Sequence, residues 1–269
     1  MPEFATVQAG VSRTVGAVAA TTTGTQIISD AAANTKGTWV ELTAATEFDA
    51  SWVMVTIGVP TGGSDYLVDV GIGAATEQVI IPDMYARPRN NDGGGYVYLF
   101  PMFVPAGSRL TARCQDSFGA GDVLIVLTLF SGTLLYGGSR QSMVSAYGSV
   151  TASLGTNIDP GGTANTDSAW TELTAATDRD HYWLVLAGRY GDASISATRW
   201  LVDIGIGAAT EQEIISDLLF MADITSDMPL NVVMCFPYFV PKGSRLTARA
   251  RSSSIVDGDR DIYLKLYGC

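Results

Sequence analysis

Histidine is almost missing from this chain: its 269 residues contain one, His181. A Ser-His-acid triad or a histidine-ligated metal would have to be built on that single side chain. It stands at Asp180-His181-Tyr182-Trp183, and the expectation is a surface or strand-edge residue without catalytic duty. Cysteine is scarce too. Cys114, Cys235 and Cys269 form no spaced motif, and an odd count without a secretory leader reads as reduced thiols rather than a disulfide framework or metal site. Basic residues are few, with 16 Lys and Arg against 27 Asp and Glu and a net charge of −11. Neutralising a phosphate backbone needs clustered cations, so a nucleic-acid partner is not expected. No apolar run approaches the roughly 18 residues that span a bilayer, so no membrane partner is expected either. Met1-Pro2-Glu3-Phe4 does not open a basic region followed by an apolar core, so synthesis in a cytoplasm without a signal peptide is expected.

What the chain does contain is apolar residues, 47%, and glycine, 29 residues, with abundant Val, Ile, Thr and Tyr. That mixture suits pleated strands joined by tight turns. It also repeats. Trp39-Val40-Glu41-Leu42-Thr43-Ala44-Ala45-Thr46 returns at Trp170–Thr177, Leu67–Gln78 returns at Leu201–Gln212, and Phe100–Arg113 returns at Phe236–Arg249. The offsets, 131, 134 and 136, grow between blocks, where surface loops accept insertions. Within each copy the apolar period is two, as in Trp52–Ile57, Tyr66–Ile72, Leu110–Cys114, Val123–Phe130, Trp200–Ile206 and Ile262–Tyr267. The prediction is an all-β protein of two tandem antiparallel β-sandwich, jelly-roll-like domains: an N-terminal arm at 1–15, a first repeat at 16–136 and a second at 137–269. Phe4 and Val7 are candidate anchors of the arm, and the first strand is expected at Val15–Ala19. Ile214–Met221 has apolar spacing that also admits a short helix.

The residues that tempt a catalytic reading are duplicated. Gly71-Ile72-Gly73 and Gly205-Ile206-Gly207 lack the third glycine of a dinucleotide fingerprint, with Thr76 and Thr210 in its place, and read as strand ends or turns. Asp69 with Glu77, and Asp203 with Glu211, are the carboxylate pairs a glycoside hydrolase would need. They recur along with Glu41 and Glu172, and with Arg109, Arg113, Arg245 and Arg249, and duplication favours architecture over one reaction centre. The arginines are expected to pair with acidic neighbours across the sheet or an interface. Asp257-Gly258-Asp259-Arg260-Asp261 resembles half a calcium loop without its distal glutamate, and a hairpin turn is expected there. Trp39 and Trp170 are expected in the core, with Trp52, Trp183 and Trp200 packed inside as well; Tyr85, Tyr96, Tyr98 and Tyr190 are the surface candidates for stacking on a sugar. No catalytic, cofactor-binding or metal-binding residue is assigned.

Val68–Gln78 and Val104–Arg113, each with its second copy, resemble stretches of virion structural proteins of tailed bacteriophages, among them capsid decoration, head-fibre and tail proteins. The resemblance implies a non-enzymatic, homo-oligomeric virion component made in the host cytoplasm that contacts the major capsid protein or tail proteins. Capsid decoration or head fibre is the first expectation. A tail-associated adhesin binding host receptor or glycan is the second, and a glycoside hydrolase using Asp69 or Asp203 is the third.

Overall fold

The computed structural model describes residues 10–18, 23–59, 64–74, 76–87, 94–132, 141–190, 198–207, 210–222, 232–256 and 260–269. Among them every regular element is a strand. The first repeat contributes β1 (Ser12–Val15), β2 (Ala17–Val18), β3 (Thr23–Ile28), β4 (Val40–Thr43), β5 (Trp52–Val59), β6 (Tyr66–Ile72), β7 (Gln78–Ala86), β8 (Gly94–Phe100), β9 (Leu110–Asp116) and β10 (Asp122–Phe130). The second contributes β11 (Ser145–Tyr147), β12 (Thr156–Ile158), β13 (Thr171–Thr174), β14 (Leu184–Tyr190), β15 (Thr198–Ile206), β16 (Gln212–Ala222), β17 (Val232–Phe236), β18 (Leu246–Ser252) and β19 (Ile262–Gly268).

In the first repeat one sheet runs β2-β3-β10-β5-β8, with β1 also on β10, and the other runs β4-β9-β6-β7. In the second repeat β11-β19-β14-β17, with β12 on β19, faces β13-β18-β15-β16. From β3 to β10, the first, eighth, third and sixth strands share one sheet and the second, seventh, fourth and fifth share the other. The strands from β12 to β19 follow the same order. That interleaving is the jelly roll, and the described pairings are antiparallel throughout.

Side chains alternate as the period of two requires: β5 and β10 each bury every second residue, placing Val53, Val55, Ile57, Ile125 and Leu127 between the sheets. The second repeat does the same with Trp200, Val202, Ile204, Leu264 and Leu266.

One point left open is resolved here and one expectation is corrected. Ile214–Met221 is part of strand β16, not a helix. A bulge at Asp217, φ 53°, shifts the register and displaces the apolar alternation by one residue, so Ile214, Ile215, Leu218 and Leu219 fall at spacings a helix would also use. In β7 the same bulge sits at Asp83, φ 51°, and Pro82 precedes it; an edge-strand bulge is where a sheet tolerates proline. The first strand is also earlier than expected: Ser12–Val15, placed in the arm by sequence, pairs with β10 from Phe130 to Leu127. Phe4 and Val7, the join at 136/137, Asp257 to Asp259, and the Tyr190 side chain lie outside the described residues.

The repeats share a core. The outward face of the β11-β19-β14-β17 sheet brings Val185, Ala187, Tyr267 and Cys269 into the same apolar cluster as Tyr98, Phe100 and Met84 of the first repeat. The second repeat thus closes the open edge between β7 and β8 of the first.

Candidate functional site

The duplicated charged residues gather on the outer face of the β4-β9-β6-β7 sheet and of its counterpart. Asp69, on β6, points away from the core because Val68 and Val70 point into it. Its Oδ1 accepts from Lys36 Nζ at 2.7 Å and from the Asp83 backbone N–H at 2.9 Å, and its Oδ2 accepts from Arg113 Nε at 2.9 Å. The carboxylate therefore pins the β7 bulge. Asp203 repeats this with the Asp217 N–H at 2.8 Å and Arg249 Nε at 2.8 Å. Arg109 donates to Glu41 at 2.7 Å and to Glu77 at 2.8 Å; Arg245 donates to Glu172 at 2.7 Å and to Glu211 at 2.5 Å. The arginines thus find their acidic partners across the sheet.

The partners are not all copied. Lys36 is matched by Asp167, and Gln115 by Arg251, so the extra cation moves from the loop before β4 to β18, where Arg251 pairs with Asp167 and Asp217. Trp39 and Trp170 lie on this face rather than in the core. Arg113 stacks over Trp39 at 4.5 Å and Arg249 over Trp170 at 4.6 Å. A Cβ on Gly71 or Gly205 would sit 2.8 or 2.9 Å from the indole ring. The first glycine of each Gly-Ile-Gly is therefore the floor on which tryptophan lies. The second, Gly73 or Gly207, has φ of +138° or +133° and turns the chain.

The ion pairing disfavours Glu77 as a general acid. A general acid needs a raised pKa. The hydrogen bond from Arg109 holds Glu77 below the ordinary glutamate range, and Arg245 does the same to Glu211. Both are held ionised and salt-bridged.

Tyr85, Tyr96 and Tyr98 are buried rather than offered to a ligand, at 2%, 1% and 0% exposure. Sequence could not reveal this, because their cover comes from the other repeat. Tyr267 lies edge-on to Tyr98 and Phe100, donates to the Asp83 carbonyl at 2.9 Å and accepts from the Tyr85 N–H at 3.1 Å. Tyr85 donates to Asp65 at 2.5 Å, and Arg189 donates to the same oxygen at 2.6 Å. Burial, with Asp65 and Tyr96 adding to it, drives the Tyr85 hydroxyl well above the ordinary tyrosine range. Trp52 and Trp183 are half-buried and meet edge to face across the repeats, with centroids 5.6 Å apart; only Trp200 of the three is fully inside. Lys265 is 1% exposed in this interface, and burial lowers it to about 8 against the pull of Asp83.

His181 is not at the surface; it is fully buried. Its backbone bridges to Val240, and its ring lies against Gly268, where a Cβ would come within 2.5 Å. Nε2 is 2.6 Å from Tyr147 Oη, whose proton goes to Asp178 at 2.8 Å, so Nε2–H donates to the tyrosine and Nδ1 is left as an unpartnered acceptor. Burial lowers the imidazole to about 4 despite the nearby Asp178 carboxylate. Cys114 and Cys269 are buried thiols and Cys235 is partly buried, all unbridged.

No protein-family model and no curated protein matches the chain. Among solved structures, PNGase F, a glycosylasparaginase from Flavobacterium meningosepticum, aligns at TM-score 0.38 and 8% identity over 97% of this chain and 96% of its own. Broad bean stain virus aligns at TM-score 0.37 and 11% identity over 100% and 92%. The tandem CBM22 domains of Paenibacillus barcinonensis Xyn10C align at TM-score 0.24 and 11% identity over 98% and 92%. Likenesses this distant carry no argument about function; the jelly-roll assignment rests on the strand order.

Proposed function

We propose that the chain is a non-enzymatic structural component of a bacteriophage virion, a capsid decoration or head-fibre protein that binds and stabilises the assembled shell. One observation carries the reading. The blocks that resemble phage virion proteins, Val68–Gln78 and Val104–Arg113, build the ion-paired outer face and the turns of each jelly roll, with their charged groups committed to one another. The partners this reading calls for are other virion proteins, the major capsid protein first, and the location is the virion. The adhesin reading loses its aromatic platform with the burial of Tyr96 and Tyr98. The test is imaging of particles assembled without this protein. Loss of density from the outer capsid surface is expected; an unchanged capsid with a gap at the tail would overturn the assignment.

A further inference from the structure

The edge that the second repeat closes on the first has a counterpart on the second repeat, between β16 and β17, and none of the described residues closes that one. Register fixes the correspondence. Leu67 faces Tyr85 and Leu201 faces Leu219; Val53 faces Phe100 and Leu184 faces Phe236. Tyr85 is 2% exposed whereas Leu219 is 52%, and Phe100 is fully buried whereas Phe236 is only partly so. Phe239, matching Phe103, is 51% exposed, and Met221, two residues beyond Leu219 on β16, is 47%.

The face that does the closing also has a counterpart, which is covered at one end, where Trp52 meets Trp183. In the second repeat Met143 and Val233 pack against the first repeat's core. Their equivalents in the first repeat, Val11 and Val97, are 59% and 51% exposed. A surface that is buried once within the chain thus has a second version, with exposed apolar residues on both halves and the halves on different repeats.

We infer that a second copy of this chain supplies the missing cover: the outer face of the first repeat's β1-β10-β5-β8 sheet docks on the β16–β17 edge of the next chain. The chemistry of the two open halves matches. Across the internal interface Tyr267, Tyr98 and Tyr85 meet; the corresponding trio is Thr128, Met234 and Leu219. The internal charge pair Asp65–Arg189 corresponds to Arg199 and Gly58, so the open halves ask for no buried ion pair. The Thr128 hydroxyl lies 3.2 Å from that of Thr14, within its own repeat, and Met234 adapts to the smaller partner. The joint is heterologous, head to tail, so its repetition builds a ring or a filament rather than a two-fold dimer. This inference stands apart from the virion reading, since it concerns only how copies of the chain meet.

The experiment is sedimentation velocity on the full chain from about 1 to 100 µM, a span suited to an interface of ordinary size. Leu219→Glu blocks one half and Val97→Glu the other. The wild type is expected above the mass of one chain and each variant at that mass. The 1:1 mixture is expected at twice that mass, because each variant retains the half the other lacks. A monomeric wild type, variants as large as wild type, or a mixture that stays monomeric would each overturn the inference. Hydrogen exchange on the wild type gives a second reading that needs no substitution: β16 amides should gain protection with concentration, and concentration-independent exchange there would also overturn it.

Discussion

His181 occupies the position that Ala50 holds in the first repeat, each bridging to the valine of the Val-Pro turn, Val240 or Val104. Its sequence context gave no sign of burial, because the ring packs against Gly268, a residue 87 positions away by sequence number. The imidazole titrates near 4 when folded against about 6.5 when unfolded, so between those values the unfolded chain binds the extra proton. The His181 contribution to stability is therefore fully present above about pH 6.5 and is lost, by about 3 kcal/mol, by pH 4. Urea unfolding across that range should show the loss, and His181→Ala should flatten it. Asp178, held below the ordinary range by Ser145, Arg179 and Tyr147 against the opposing effect of its burial, acts in a separate window further down. Lys265 works in the alkaline direction. Its folded value near 8 lies below the unfolded one, so it costs stability at neutral pH, and stability should rise as pH passes from 8 towards 10. Lys265→Met should raise the melting temperature at pH 7, by an amount corresponding to about 1–3 kcal/mol, and abolish that alkaline rise.

At the scale of elements, the glycine beneath each tryptophan is the sharpest test. Gly205→Ala sets a methyl within 2.8 Å of Thr247 and 2.9 Å of Trp170, so the indole must lift from the sheet and release Arg249. The expected cost is about 1–3 kcal/mol, with a red shift in tryptophan emission; unchanged emission would show that the ring does not rest there. Sequence made these strands legible wherever one face is core and the other is more open, as in β5 and β10. It failed at β7 and β16, where a bulge breaks the alternation, and at Tyr96 and Tyr98, whose alternation marks one face of β8 without saying what lies on it. The charged residues were legible as a set because they recur. Their geometry was not: Asp69 serves a bulge that sequence could not place, and Lys36 was invisible because its counterpart is Asp167.

For the whole molecule, the shared core decides how it unfolds. Tyr267 belongs to a strand of the second repeat and fills the edge of the first. Tyr267→Ala should cost about 3–5 kcal/mol, as large aromatic truncations in cores do, and should weaken both repeats together. Calorimetry of the wild type should show one transition. Two resolved transitions, with only one moved by the substitution, would mean that the repeats are energetically separate. The same strand sets a timetable for synthesis. β19 follows every other strand in the chain, yet its residues flank Tyr98 and Phe100 from the first half. A ribosome that has finished the first repeat has not yet made the side chain that seals it. The nascent chain must carry an open aromatic seam through translation of the entire second repeat, and a release short of Tyr267 leaves both halves incomplete.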